Sequence, residues 1–201
     1  MSNDLFFRFL ASFCPIRPEE AAALFARFRP VAHRRRQRIQ QEGEQVEDVF
    51  FVESGILRGY YLHPGGDDAT AGFYFGPTLV GDVVGLREHT PTRLNLEVLR
   101  PGLIWRARLA ELEGLAPQYP IIYQLFMVFF ERLYAFNHKR QLSFIYDSPT
   151  QRYLHLLRER PKVIEHVAQR HIASYLGIKP ESLSRIRRRL AREGPTEATF
   201  S

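Results

Sequence analysis

Four polar residues near the end of the chain, Glu181, Ser184, Arg185 and Arg188, stand three, four and seven residues beyond the first of them, a spacing that puts them on one face of a helix. Their types suit the edges of base pairs. A carboxylate accepts from cytosine N4, an arginine is bidentate to guanine, and a serine hydroxyl adapts to either partner. Apolar residues interleave with them: Ile172, Ala173, Leu176, Ile178, Leu183 and Ile186 have the spacing of two helices packed across a tight turn. Ala173 is small enough to let the helices approach. Gly177 can take the left-handed backbone that ends the first helix, and Pro180 suits the first position of the second, where an amide proton has no helical partner. A helix-turn-helix over residues 168–192 is therefore expected. Gln169, Arg170, Ser174, Lys179, Arg187 and Arg189 flank the base-reading face and are candidates for phosphate contacts that set the docking register. The plain alternative is a helical hairpin with a solvated basic face, but packing alone does not require the glycine, the proline and this charge pattern together.

Charge placement points the same way. The 201-residue chain has a formal net charge of +6. Residues 162–193 hold eight basic side chains against three acids, +5, which leaves +1 for the other 169 residues. Basic charge held in one short segment is the footprint of a phosphate-backbone binder, although a solvated basic tail would have the same composition. A second basic run, from His33 through Arg34, Arg35, Arg36 and Arg38, enters a strand, where alternation splays its charges to both faces; it reads as a solvated edge.

Composition excludes several classes. Hydrophobic residues at 45% and charged residues at 25% describe an ordinary globular chain. The lone Cys14 offers neither an internal disulfide nor a multi-thiolate metal site, and a reducing cytoplasm suits it. Asp4 stands where a signal peptide would want positive charge, and the most apolar stretch, 121–136, is broken by Gln124, Glu131 and Arg132, so neither export nor a membrane span is expected. An enzyme built on a small barrel would need clustered histidines and carboxylates for a metal, yet His63 and His89 stand alone, and the remaining histidines (33, 138, 155, 166 and 171) read as surface or capping residues. No phosphate-cradling glycine loop and no nucleophile elbow occurs, so no enzyme, cofactor or metal is expected.

The elements that must position the basic face are legible upstream. Two short helices are expected within residues 4–28, separated at Cys14-Pro15. The period then changes to that of strands at 49–52, 56–62, 70–75, 95–99 and 103–107, with turn residues between them, which predicts an antiparallel barrel or sandwich over about residues 30–108. A short helix at 109–113 precedes one long helix at 117–140, whose apolar residues run most of the way round, so that it must be covered on two sides. Its face of Ile122, Leu125, Phe129, Leu133 and Phe136 could meet the same helix of a second copy; a core helix inside a monomer would show the same periodicity. An amphipathic segment at 151–159 follows, and Pro161 is expected to stop it. Three parts result: the strand-rich part with its flanking helices at 1–116, the long helix at 117–146 and the helix-turn-helix part at 147–201.

In this order of elements, the block from Phe50 to Arg58, the Ser148-Pro-Thr-Gln-Arg-Tyr run, and the segment from Ile172 to Arg185 resemble the Crp-Fnr superfamily of transcription factors over nearly the whole chain. The resemblance implies an α+β fold: an N-terminal antiparallel β-roll (jelly roll) like a cyclic-nucleotide-binding domain, flanking helices, a long dimerisation helix and a C-terminal helix-turn-helix. It further implies a homodimer on double-stranded DNA, with Glu181, Ser184 and Arg185 reading the half-site and RNA polymerase as a candidate partner.

Two departures from the family pattern bear on function. Nucleotide-binding members carry a Gly-Glu pair and, about ten residues on, Arg-Ser or Arg-Thr; here Gly81-Asp82 is followed by Arg93-Leu94, with Arg87 between. The shorter acid and the missing hydroxyl argue against cyclic AMP and for a retuned or lost effector pocket around Gly81, Asp82, Arg87 and Arg93. Members also continue into a β-hairpin wing, for which the segment after residue 193 is too short, so a wingless domain is expected. A sensing module that regulates a protein partner without reading DNA would account for a missing wing, but not for the Glu181, Ser184 and Arg185 face.

Overall fold

The computed structural model describes residues 2–193. Helices α1 (Ser2–Ala11) and α2 (Pro18–Phe25) open the chain, on either side of the Cys14-Pro15 break. Strands β1 (Arg29–Pro30), β2 (Arg38–Gln40), β3 (Asp48–Val52), β4 (Ile56–Leu62), β5 (Asp68–Phe75) and β6 (Thr78–Val80) follow, then α3 (Val83–Glu88), β7 (Asn95–Arg100), β8 (Ile104–Arg108) and α4 (Leu109–Glu113). The rest is helical: α5 (Ile121–Tyr146), α6 (Pro149–Glu159), α7 (Pro161–His166), α8 (Gln169–Tyr175) and α9 (Pro180–Glu193). The architecture is α+β, a two-sheet roll followed by a helix-turn-helix. The expectation of a wingless domain concerns residues 194–201, which lie outside the described residues.

Contacts divide the chain into two compact units, residues 1–61 with 73–135, and residues 62–72 with 136–201. In the first, two antiparallel four-stranded sheets, ordered β1-β8-β3-β6 and β2-β7-β4-β5, form the roll. The register of β3 on β8 pairs Phe51 with Trp105, and period-two alternation then sends Phe51 out of the roll toward α1 and α2. There its ring meets Phe6 edge-on at 4.9 Å, within a core that also holds Leu10, Phe28, Ile122 and Leu125. Leu57, Leu96 and Val98 are fully buried in the other sheet. Arg58, also fully buried there, faces Glu97 at 3.7 Å and lies over the Tyr60 ring, which spares the sheet an unpaired buried charge.

Several helix boundaries differ from the sequence expectation, among them the start of α6, at Pro149 where 151 was expected. The long helix starts four residues later and runs six residues further than 117–140, because Pro117 and Pro120 precede it and no breaker intervenes before Asp147. Pro161 starts a helix and does not merely end one. It occupies the first turn of α7, where its missing amide costs nothing.

Candidate nucleic-acid interface

Ser148 opens α6 with a reciprocal cap: Gln151 N donates to Ser148 Oγ at 3.3 Å, and Ser148 N donates to Gln151 Oε1 at 2.8 Å. Helix α8 ends in a left-handed turn. Gly177 has φ of 69°, its amide donates to the Ser174 carbonyl, and the Ile178 amide reaches back to the Ala173 carbonyl at 3.0 Å. A side chain at Gly177 would also strike Phe144, 2.7 Å from the position a Cβ would take. After the turn, Pro180 opens α9 as anticipated, while Ala173 and Leu183 are fully buried between the two helices.

On α9 the outward face is the one read from spacing. Glu181, Ser184, Arg185 and Arg188 are all exposed, on a 14-residue helix whose opposite side carries Leu183 and Ile186. Arg185 donates to Ser182 Oγ at 3.2 Å, a contact within its own helix that leaves the guanidinium at the surface. Gln169 and Arg170, at the start of α8, and Lys179, in the turn, are exposed. Arg187 is half-buried beside Tyr153 and Leu157, and Arg189 donates to Thr150 Oγ1 at 2.7 Å, so both pack toward α6 with their cationic ends at its margin.

Ser174 is placed differently from the expectation of a phosphate contact. Its hydroxyl donates to the Asp68 carbonyl at 2.8 Å and accepts from the Thr70 amide at 2.9 Å, both on the tip of the β4–β5 hairpin. Arg140 donates to the Thr70 carbonyl and stacks on the Tyr175 ring at 4.0 Å, which fixes the same tip to α8. No sequence signal pairs residues 68 and 174. Arg152 was legible only as part of a resembling block. Here its Nε donates to the Leu176 carbonyl and its Nη1 to the Asp147 carbonyl, joining the ends of α8 and α5, and desolvation lowers its pKa from the ordinary arginine value. His171 is buried, not superficial, with Nε2 next to Arg170 Nε at 3.3 Å.

The four residues suggested for an effector pocket do not converge. Asp82 accepts from the buried Thr92 hydroxyl at 2.6 Å, Thr92 in turn accepts from Gln40 and from the Leu94 amide, and the trio closes on itself. Arg93 is exposed. Arg87 ion-pairs with Glu113, and with Gly81 it lines a separate apolar cavity. The hydroxyl missing after Arg93 is thus present before it, at Thr92, where it is already committed.

Corrections apply to the long helix as well. Ile122 and Leu125 are buried in the core of the first unit and cannot meet a second copy, while Phe129 and Leu133 are half-buried beside the same cavity. Only Phe136 of the five is well exposed. The outward face carries Tyr123, Met127 and Tyr134, each more than 60% exposed, with half-buried Phe130 between them.

The same order of elements, a β-roll, one long helix and a helix-turn-helix, is found in solved structures. FixK2 from Bradyrhizobium japonicum superposes with a TM-score of 0.71 at 21% identity, over 83% of this chain and 86% of that one. The c-di-GMP responsive global regulator CLP of Xanthomonas campestris gives 0.71 at 17%, over 89% and 93%. A CooA variant from Carboxydothermus hydrogenoformans gives 0.69 at 14%, over 85% and 79%. The chain therefore shares the fold of these proteins, a two-sheet β-roll followed by a helix-turn-helix. No family model and no curated protein matches the chain. Among the described residues no helix is long and apolar enough to cross a membrane.

Proposed function

We propose that the chain is a DNA-binding transcriptional regulator that acts as a homodimer, with α9 as the helix that enters the major groove. The observation that carries this is the exposed set Glu181, Ser184, Arg185 and Arg188 on a helix fixed by a buried opposite side and by the turn at Gly177. Glu181 and Arg185 are the base readers, Ser184 and Arg188 adjust to the flanking pairs, and Gln169, Arg170, Lys179, Arg187 and Arg189 supply phosphate contacts. Ser174 is left out of that set because its hydroxyl serves the β4–β5 tip.

The dimer face we assign is Tyr123, Met127, Phe130 and Tyr134. Their spacing of four, three and four residues is a heptad seam, and three of the four are strongly exposed. Any effector reaches the roll by a route other than the Asp82 and Thr92 cassette. The deciding experiment is selection of genomic DNA fragments by wild type and Arg185→Ala in parallel. Wild type should recover a palindrome with half-sites about 34 Å apart, one helical turn, and the variant should lose it. Equal, sequence-independent recovery by both proteins would sink the assignment.

A further inference from the structure

The first unit contains a cavity of about 90 Å³ between the N-terminal helices, the edge of the roll at β6, α3 and α5. Its walls are almost wholly carbon: Leu10 and Phe13, Leu79 and Leu86, Phe129 and Leu133. Close packing is the rule in protein interiors, and an unfilled apolar space destabilises in proportion to its volume. Such cavities stay dry and accept small apolar molecules; one of roughly 150 Å³ takes benzene, so the smaller space here admits a hydrocarbon chain of about three or four carbons. One charged side chain, Arg87, stands among the lining residues. It lies 5.6 Å from the Phe130 ring and pairs with Glu113, both members of the pair being more than a third exposed. An exposed ion pair is worth little, so a ligand carboxylate can replace Glu113 on Arg87 at small cost.

We infer that this cavity binds a small apolar monocarboxylate, with its hydrocarbon part among the leucines and phenylalanines and its carboxylate on Arg87. The site is separate from the Asp82, Thr92 and Gln40 trio, none of which lines it. Five lining residues, Leu125, Phe126, Phe129, Phe130 and Leu133, lie on α5, which continues unbroken to Tyr146, and Phe130 also belongs to the assigned dimer seam. A ligand there would bear directly on that helix. Its role as an effector rests on the regulator reading; its binding does not.

The test is titration of the full chain with butanoate and with 1-butanol, an alcohol of the same chain length without the charge, by calorimetry and saturation-transfer NMR in the absence of DNA. Butanoate should saturate and bind more tightly than butanol, by up to about fivefold, the range an exposed ion pair supplies. Arg87→Gln should remove that preference while butanol binding stays within twofold. Leu86→Phe, which fills the cavity, should weaken both ligands, provided its thermal unfolding remains cooperative; Leu79→Phe fills it from β6. No saturable butanoate binding overturns the inference, as does equal binding of both ligands to wild type or binding indifferent to the filling substitutions. If a second copy's side chains fill the mouth instead, butanoate affinity will fall as protein concentration rises, and that too overturns it. Because no DNA is present, loss of operator selectivity in the Arg185→Ala experiment is read separately.

Discussion

Gly177 is held by two constraints that happen to coincide. Its φ of 69° excludes an ordinary side chain at low cost, and the ring of Phe144 occupies the space a Cβ would need. Gly177→Ala should lower stability by about 1–3 kcal/mol, measured as a shift of the urea midpoint without a change in slope. Phe144→Leu combined with it should return the steric part and leave the conformational part, so the double-mutant cycle should show coupling; strict additivity would mean that the ring contact contributes nothing. The left-handed turn was legible in the sequence, whereas the ring above it was not, since nothing in residue spacing links 144 to 177. Asp82 illustrates the same division. Its type argued against a nucleotide, but the reason it is unavailable, a 2.6 Å bond from the Thr92 hydroxyl, is tertiary. Calorimetric titration with micromolar cyclic AMP should therefore produce no saturable heat, and a saturating isotherm would show that the trio opens.

At the scale of elements, α2 depends on a cap made by an unusual residue. The Arg17 amide donates to Glu20 Oε2 at 2.8 Å and its guanidinium to Glu20 Oε1 at 2.7 Å, so the carboxylate at the third helical position satisfies the entry to the helix from both sides. These bonds hold the Glu20 carboxyl below its ordinary value despite the burial that opposes them. A carboxyl with a depressed folded pKa stabilises the fold above the unfolded value, about 4.3, and that stabilisation is lost as pH falls through the folded value. Arg17→Ala should raise the Glu20 titration midpoint, followed by carboxyl NMR, and flatten the dependence of stability on pH in the acid range; an unmoved midpoint would assign the depression to some other group. Strongly periodic elements were readable in advance: the helix-turn-helix, the amphipathic stretch of α6, and β3 and β4; the Ser148 and Gln151 cap that starts α6 at Pro149 was not. Short ones were not. Strands β1, β2 and β6 run two or three residues and α3 six, too few to display a period, and they exist because neighbouring strands supply their hydrogen bonds. The β4–β5 tip is the largest omission, a turn that looked like a connection and is in fact bonded to α8 through Ser174.

For the whole molecule, the face α5 turns outward bears on whether two copies of α9 can act together. The periodicity of the long helix established that it is covered on more than one side, without saying which side faces its own roll. The structure allots Ile122 and Leu125 to the core and leaves Tyr123, Met127 and Tyr134 outside. If those residues form the seam between two copies, Met127→Glu places two carboxylates opposite one another at its centre, where like charge and lost apolar contact act together. Sedimentation equilibrium should then show wild type as a dimer and Met127→Glu as a monomer with an unchanged circular dichroism spectrum. DNA binding should follow. A dimer on a palindrome neutralises phosphates at two half-sites, so halving the number of reading helices should roughly halve the slope of log affinity against log salt concentration. Tyr123→Glu, one turn away on the same seam, should do likewise. Leu142→Glu, on the exposed surface of the second unit and outside the seam, should leave mass and slope as in wild type. A dimer that survives both seam substitutions would place the contact elsewhere on the molecule and remove the basis for reading a palindrome through α5.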